Sequence, residues 1–541
     1  MAGVFIASLR TLGDQDIWFQ LLAGRYVLDH GMVPHHDFFL YVGQHNPQMF
    51  GGWGFGVIYE LVIRAVGLPG ATILNAGVWC GAFYLSAHAA LLRGNLHVRD
   101  LQTDQLISFS LVMTVLFIGI ESRLALRAES TLFFAWALLA YLFEKWRCQA
   151  NIVKFWLALP IIACAEAWLH TGAFMLIPFG VICAVRSVSD STNRGWTFIF
   201  GWLISLCALC LLPIANPNGI DQVYTQLIHI VQSLGDAATV KANSFNLEYL
   251  PIWDAREMPQ WFRFIFVGLL LLVVALKKRR WADWTEIMVC VAFFAMACLH
   301  NRGISLAVMS LMVPAMHWCL VRSRDIFNIQ NIVKIMLCSV LAFLPIVQSS
   351  GNPLFGVQPS ELGLEKTAAL IRSSKPNGAK VFTRENGPML AYALGNESYL
   401  VSRGGHSLIT NNEADSHFFN TIGGTEIWEA ELTKYKVDFV CVDFYLPLPG
   451  DGIFYWLPSF LVTNPSWKML PLQDGSCNLF EKLPAGQMLT EKEIDDQLES
   501  YLRFLSFFAD YEYFGVSDMT GQAIGRKAKI QLDLLMKRRS N

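Results

Sequence analysis

Charge is what this sequence has least of. Only 16% of its 541 residues are Asp, Glu, Lys or Arg, where a soluble chain of this size carries about a quarter. The net charge of −2 leaves no basic surplus, which excludes nucleic acid as a partner, because phosphate backbones are bound by basic surfaces. The twelve cysteines show no zinc spacing. Ten fall in or beside apolar stretches and read as small buried hydrophobes. No internal repeat or low-complexity tract stands out. Residues Met1 to Leu12 are apolar but lack a basic leader and a small-residue cleavage site, so they read as the stub of a first span or a half-inserted helix rather than a cleaved signal.

Apolar residues fill the space that charge leaves, at 54% of the chain with a further signature of 13% aromatics. About 20 apolar residues span a bilayer as a helix. Candidate spans are 70–92, 104–121, 130–146, 155–169, 172–186, 196–215, 259–276, 282–299, 303–321 and 330–349. Residues 51–68 carry Glu60 and Arg64 one turn apart among glycines, and read as an amphipathic helix lying at the interface. Basic residues then gather on one side: Arg93, Arg99, Lys145, Arg147, Lys154, Arg186, Arg194, the Lys277–Arg280 run, Arg322 and Arg324. The positive-inside rule makes that side cytoplasmic. The opposite, outer face holds the 14–37 segment, the 122–129 loop, the 216–258 loop, the 300–302 turn and everything after about 350.

Past residue 350 the pattern changes. An amphipathic helix is expected over 362–373, strands over 380–383, 437–444 and 477–483, and a helix or strand over 389–394. This alternation predicts a small α/β domain. Residues 490–541 read as helical, acidic early and basic late. The expected organisation is a transmembrane domain over 1–349, an extracytoplasmic α/β domain over 350–485 and a helical extension over 486–541. Cys441 and Cys477 lie in this polar part; they pair if it is extracytoplasmic, or stay as free core thiols.

The outer-face residues are where chemistry is expected. Asp14 and Asp16 sit two residues apart before an amphipathic helix over about 16–30, and acids beside a span are costly unless used. Both also suit the start of a helix, where a carboxylate caps free N–H groups. Glu121, Arg123, Arg127 and Glu129 bracket a short loop. Glu166 and His170 end a span, Asn216-Pro217-Asn218-Gly219 opens the long loop, Glu248 lies within it, and His300-Asn301-Arg302 ends another span. Together they build a polar cavity at one membrane surface. Carboxylates and arginines at that level suit a sugar linked to a polyprenyl phosphate: a carboxylate accepts the proton of an acceptor hydroxyl, and arginines receive the departing phosphate. Asp14 and Asp16 are therefore the candidate catalytic pair, with Arg123, Arg127, His170, Glu248, His300 and Arg302 as candidate substrate contacts. Two carboxylates can also hold a divalent metal, Mg or Mn, through oxygen ligands. His35 and His36 beside Asp37 make a poorer metal set, since adjacent side chains diverge.

The stretch Asp14-Gln15-Asp16-Ile17-Trp18, followed by Leu21, Gly24-Arg25, His30-Gly31, Pro34 and Asp37, resembles the first outer loop of the GT-C superfamily of membrane glycosyltransferases. It is most similar to bacterial members of undefined substrate, in which Asp-Pro-Asp-x-x-Trp-His-Leu leads to Gly-Arg and Pro-x-x-Asp. Trp168-Leu169-His170-Thr171-Gly172 is similar to a family Trp-x-Asn-x-His-Gly. The 216–219, 248–251 and 300–302 segments and residues 381–394 with Arg403 extend the resemblance loosely over residues 14–480. It implies an all-α polytopic membrane domain of about 10–11 transmembrane helices plus interfacial helices, then the small α/β domain, in a bacterial inner membrane with that domain periplasmic. It implies an inverting transfer from a polyprenyl-phosphate-linked sugar to an extracytoplasmic acceptor, with Asp14 or Asp16 as base or metal ligand. Gln15 replaces the family Pro, and Phe19-Gln20 replaces its Trp-His pair. The Trp-Trp-Asp motif of oligosaccharyltransferase catalytic subunits is absent, which speaks against en bloc transfer to asparagine. The rival reading is a non-catalytic scaffold or transporter component of envelope polysaccharide assembly; a transporter would show inverted repeats.

Overall fold

The apolar runs are helices in the computed structural model. It describes residues 4–5, 8–9, 15–40, 50–120, 123–149, 151–190, 194–219, 258–277, 281–299, 303–322, 359–383, 387–395, 398–401, 425–443, 460–470, 477–507 and 519–540, apart from some side chains near element ends. The chain divides into two compact units, Met1–Val33 with Met49–Val357 and Pro34–Gln48 with Gln358–Asn541.

The first unit is helical. Its elements are α1 (Gln15–His30), α2 (Trp53–Arg93), α3 (Thr103–Ile120), α4 (Glu129–Cys148), α5 (Val153–Leu169), a 3-10 turn (Thr171–Met175), α6 (Leu176–Asp190), α7 (Arg194–Ala215), α8 (Met258–Lys277), α9 (Trp281–Leu299) and α10 (Gly303–Arg322). These helices follow the expected spans closely; the 330–349 run lies outside the described residues. Among the described residues, Trp53–Arg93, Thr171–Val188 and Gly303–Val321 are long and apolar enough to cross a membrane, with shorter apolar helices at Gln105–Ile120 and Arg263–Ala275. The expected 10–11 spans exceed these partly because α4 carries Glu144, Lys145 and Arg147 near its end and α5 has 17 residues.

Packing shows which solvent these helices suit. On α5, Val153, Leu157, Ile161 and Trp168 are all exposed, while Phe155, Trp156, Leu159, Ala163 and Ala167 on the other face are buried. Helix α9 repeats this with exposed Trp284, Met288 and Val291. Apolar stripes turned outward at helical spacing are costly in water and fit hydrocarbon. This unit is a largely helical, multi-span, membrane-like domain.

The helical run labelled α2 is two helices joined across a kink at Gly67 (φ 78°, ψ 178°), just before Pro69, so the 51–68 stretch forms a helix distinct from the span that follows, as expected. The positive φ there suits glycine, and the proline cannot donate a helical hydrogen bond. Glu60 is buried and accepts from Arg25 Nε at 3.1 Å and Arg64 Nε at 3.0 Å, while Arg64 also reaches Asp29 at 2.8 Å. Several of the basic residues expected to gather on one side come together through shared carboxylates. Arg93 contacts Glu144 (2.6 Å) and Glu286 (3.0 Å), Arg147 contacts Glu144 (2.8 Å), and Arg186 contacts Asp283 (3.3 Å) and Glu286 (3.4 Å). Guanidinium groups with matched carboxylates need not seek headgroups.

The second unit is built around a five-stranded mixed sheet. In chain order it has α11 (Pro359–Ser374), β1 (Ala379–Thr383), α12 (Gly387–Leu394), β2 (Tyr399–Val401), α13 (Thr425–Lys434), β3 (Phe439–Asp443), β4 (Trp467–Leu470), β5 (Cys477–Lys482), α14 (Glu491–Phe507) and α15 (Met519–Ser540). The strand order is β2-β1-β3-β5-β4. Strands β2, β1 and β3 run parallel, with the β3–β5 and β5–β4 pairs antiparallel. At the β2 edge, Val401 N donates to Phe39 O at 2.9 Å and Leu40 makes a parallel bridge to Val401. The segment after α1 thus extends the sheet and covers an edge that would otherwise leave donors open. Cys441 on β3 is disulfide-bonded, which removes the free-thiol alternative for it. Thr490 and Glu493 form a capping box at the start of α14: Thr490 N donates to Glu493 Oε2 at 2.8 Å and Glu493 N to Thr490 Oγ1 at 3.3 Å. These bonds hold the exposed Glu493 carboxyl below the usual range, the Thr490 amide contributing most. Arg539 late in α15 pairs with Glu499 and Asp496 of α14, so the acidic-early, basic-late pattern of 490–541 is a helix pair.

Candidate active site

A cavity of about 130 Å³ lies in the helical unit, lined by Ile17, Gln20, Gly51, Gly52, Arg127, Ala128, Glu129, His170 and Thr171. Four pieces of chain meet there: the first turns of α1, the residues before α2, the start of α4 and the turn after α5. Local sequence brings them together. Gly24 of α1 and Gly56 of α2 touch backbone to backbone; a Cβ on Gly56 would lie 1.8 Å from Gln20 O, and one on Gly24 would lie 2.1 Å from Gly56 C. No side chain fits there, so the two helices cross at closest approach. Arg25 with Glu60 clamps the same pair. Asn216 then ties the α5 end, its Nδ2 donating to Ala167 O at 2.6 Å, and Asn218 Nδ2 donates to Phe50 O at 3.2 Å. The 216–219 motif therefore braces the cavity rim beside Gly51 and Gly52.

The expected site residues are distributed as follows. Arg127 and His170 both line the cavity, although the loop and the helix end that bear them are 43 positions apart in sequence. Arg123 is buried behind it, its Nε 3.7 Å from Glu129 Oε2, and Glu129 is itself a lining residue. Asp16 stands in the first turn of α1, which starts at Gln15, one residue before the cavity-lining Ile17; it is inside the helix rather than at the capping position. The Asp16 side chain lies outside the described residues, as do Asp14, Glu121, Glu248, His300 and Arg302. Sequence reasoning passed over Gln20, which lines the cavity, and the Gly51-Gly52 pair, whose glycine-rich run reads as an interfacial helix. Glu129 was visible as part of a charged bracket; its place two residues from Arg127 at a helix start was the available signal.

His170 is oriented by its own turn. Its Nδ1 accepts the Gly172 N–H at 2.9 Å. A ring whose Nδ1 is an acceptor carries its proton on Nε2, so the second nitrogen is a donor. Gly172 is required at this point, since a Cβ would fall 2.7 Å from the ring Cε1. The start of α4, with Ala128 at its cap and no side chain capping it, also presents the positive end of the helix dipole, although the Ser130 and Thr131 amides are bound to Arg127 O and Ala128 O. The lining of Arg127, the His170 Nε2–H and a helix start favours an anion; among the described residues Glu129, paired with Arg123, is the lining carboxylate. Glu129 and His170 are the lining side chains able to ligate a metal, and among the described residues no group of three His, Cys, Asp or Glu side chains gathers around a common point. The described residues therefore do not by themselves make a metal centre, and no step is routed through one.

No protein-family profile matches the sequence, and no curated protein matches it. Solved structures do resemble its fold. The Archaeoglobus fulgidus oligosaccharyltransferase in the apo form is similar at TM-score 0.51 and 11% identity, over 89% of this chain and 72% of that one. The same enzyme tethered to an acceptor peptide containing the NVT sequon gives 0.54 and 11%, over 90% and 74%. The archaeal oligosaccharyltransferase AglB from Archaeoglobus fulgidus, in complex with an inhibitory peptide and a dolichol-phosphate, gives 0.53 and 11%, over 98% and 85%. The chain shares the fold of this oligosaccharyltransferase.

Proposed function

We propose that this protein is an integral-membrane glycosyltransferase that moves a sugar from a polyprenyl-phosphate donor to an extracytoplasmic acceptor. The observation that carries the reading is the convergence of Arg127, Glu129 and His170 on one cavity beside the helix that begins at the acidic 14–16 segment. Two further observations support it. The fold is shared with an oligosaccharyltransferase solved with a dolichol-phosphate. The disulfide at Cys441 suits an oxidising compartment outside the cytoplasm.

In this reading the acceptor hydroxyl attacks the anomeric carbon from the face opposite the phosphate. The bond from that carbon to the phosphate oxygen breaks, and the configuration inverts. Asp14 or Asp16 takes the hydroxyl proton as general base, or with the other acid holds a divalent ion, Mg or Mn. Arg127 and the His170 Nε2–H receive the phosphate charge as it develops, with Arg123 holding Glu129 clear of the leaving group. Glu248, His300 and Arg302 complete the donor contacts. The acceptor is a group other than a sequon asparagine, since the Trp-Trp-Asp motif is absent.

Membranes containing the protein, given radiolabelled polyprenyl-phosphate sugars, should transfer label to an envelope acceptor. Asp14→Asn or Asp16→Asn should abolish this. Full turnover by both variants removes the proposed base, and an absence of transfer with envelope assembly intact favours the scaffold.

A further inference from the structure

Glu166 is a buried acid on α5. It lies in the last turn of α5, is 2% exposed, and is not ion-paired with any described residue. Among the described residues its side-chain hydrogen bond is Oε1 to Thr131 Oγ1, at 2.8 Å. Thr131 Oγ1 also lies 2.7 Å from Ala128 O. Both separations are those of true O–H···O hydrogen bonds. Two such bonds on one oxygen need two protons, and a threonine hydroxyl has one. A backbone carbonyl has none to give, so the threonine proton must lie toward Ala128. The second proton must then come from Glu166.

We propose that Glu166 is held as a neutral carboxylic acid that donates to Thr131, forming a relay from Glu166 through Thr131 to the Ala128 carbonyl. Its surroundings agree. From α4 the facing group is the Thr131 hydroxyl. From its own chain His170 follows, with its backbone N donating to Glu166 O at 2.7 Å. From the turn just after α7 the nearby polar group is Asn216, whose amide donates to Ala167 O. A buried carboxylate among these would be without a counter-charge, which is costly; the protonated form is not.

The relay gives Glu166 a positioning role. It joins the end of α5 to the first turn of α4, and so spaces the Arg127–Glu129 edge of the cavity from the His170–Thr171 edge. Only the identity of what the cavity binds rests on the function proposed above; the protonation state does not.

Infrared difference spectra of the full chain in lipid nanodiscs test this without any donor lipid. Exposed carboxyls are ionised at neutral pH, since their pKa values lie near 4. The spectrum of the wild type minus Glu166→Gln should therefore show the C=O stretch of one protonated acid and no carboxylate bands. Thr131→Val should shift that band, because its hydrogen-bond partner is gone. Glu166→Gln, whose amide still donates to Thr131, should keep the wild-type melting midpoint, and Glu166→Ala should lower it. Carboxylate bands in place of the acid band overturn the proposal, as does a band unmoved by Thr131→Val. Should Glu166→Gln fail to accumulate, the Thr131→Val shift alone decides. Loss of polyprenyl phosphate binding in Arg127→Gln is a separate measurement, so failure of the proposed function is distinguishable from failure of this inference.

Discussion

Replacing Glu144 with Gln should be among the most damaging single changes to the helical unit. Glu144 is fully buried on α4. It accepts from Arg93 at the end of α2 and Arg147 of α4, with Arg186 of α6 3.9 Å away. Arg93 and Arg186 also share Glu286 of α9, and Arg186 reaches Asp283. Three guanidiniums thus face three carboxylates, and four helices are joined through them. Were this network exposed, each pair would be worth about 0–1 kcal/mol. It is buried, and removing one carboxylate leaves an uncompensated charge, for which about 3–5 kcal/mol is the ordinary cost. Removing charge from both sides, as in Arg93→Met with Glu144→Leu, should cost markedly less than the sum of the single changes.

The assay is denaturant unfolding in detergent, arranged as a double-mutant cycle. A cost for Glu144→Gln within about 1 kcal/mol, the range of exposed pairs, would refute the argument. The same variant should leave phosphate binding at the cavity unchanged in the molecules that fold. Glu144 lies 15 residues along α4 from Glu129, a separation of about 22 Å at 1.5 Å per residue.

Three further changes follow from single contacts. Gly56→Ala places a methyl 1.8 Å from Gln20 O, a backbone atom that cannot turn aside, so α1 must separate from α2; unfolding should become easier by about 1–3 kcal/mol or more. Gly172→Ala pushes the His170 ring from its bond to the Gly172 amide, which should weaken polyprenyl phosphate binding with little change in melting midpoint; unchanged binding would remove the orienting role given to that turn. Reduction of the Cys441 disulfide, or Cys441→Ser, should destabilise the sheet unit by about 2–4 kcal/mol, read as earlier proteolysis of that unit; equal protease resistance with and without reductant counts against it.

Much of the helical unit was legible because apolar periodicity and length are strong signals for helices in lipid. The same signals could not tell a helix end that faces headgroups from one that faces another charged helix. Arg93 and Arg186 read as part of a basic border until α9 brings Glu286 against both and Asp283 against Arg186. In the sheet unit, β1, β3 and β5 were visible as apolar runs. Strands β2 and β4, of three and four residues, are too short to show alternation, and they exist because a neighbouring strand pairs with them. The 389–394 run, open to either state, is helical as α12; it connects the parallel β1 and β2, and parallel neighbours need a crossover between them. At the cavity, Arg127 and His170 were nameable from charge at predicted span ends. Gln20 and the glycine pair were not, because their part depends on a backbone approach between α1 and α2 that no local pattern records.

That approach also bears on how the resemblance to glycosyltransferases should be weighed. Leu21, Gly24 and Arg25 carry part of the family motif, yet each is accounted for by packing: Leu21 is buried, Gly24 meets Gly56, and Arg25 binds Glu60. A chain that kept the fold and lost the chemistry would keep all three. The residues that separate an enzyme from a scaffold are those that the cavity uses and the fold does not need. Arg25→Ala and Arg127→Ala make the comparison directly. The first takes from buried Glu60 one of its guanidinium partners and should lower stability by about 1–3 kcal/mol, while binding of polyprenyl phosphate per folded molecule holds. The second removes a lining cation and should cost binding at least tenfold, about 1.4 kcal/mol, with stability little changed. If both variants lose stability alone, Arg127 is a packing residue like Arg25, and the cavity loses the group on which its preference for an anion mainly rests.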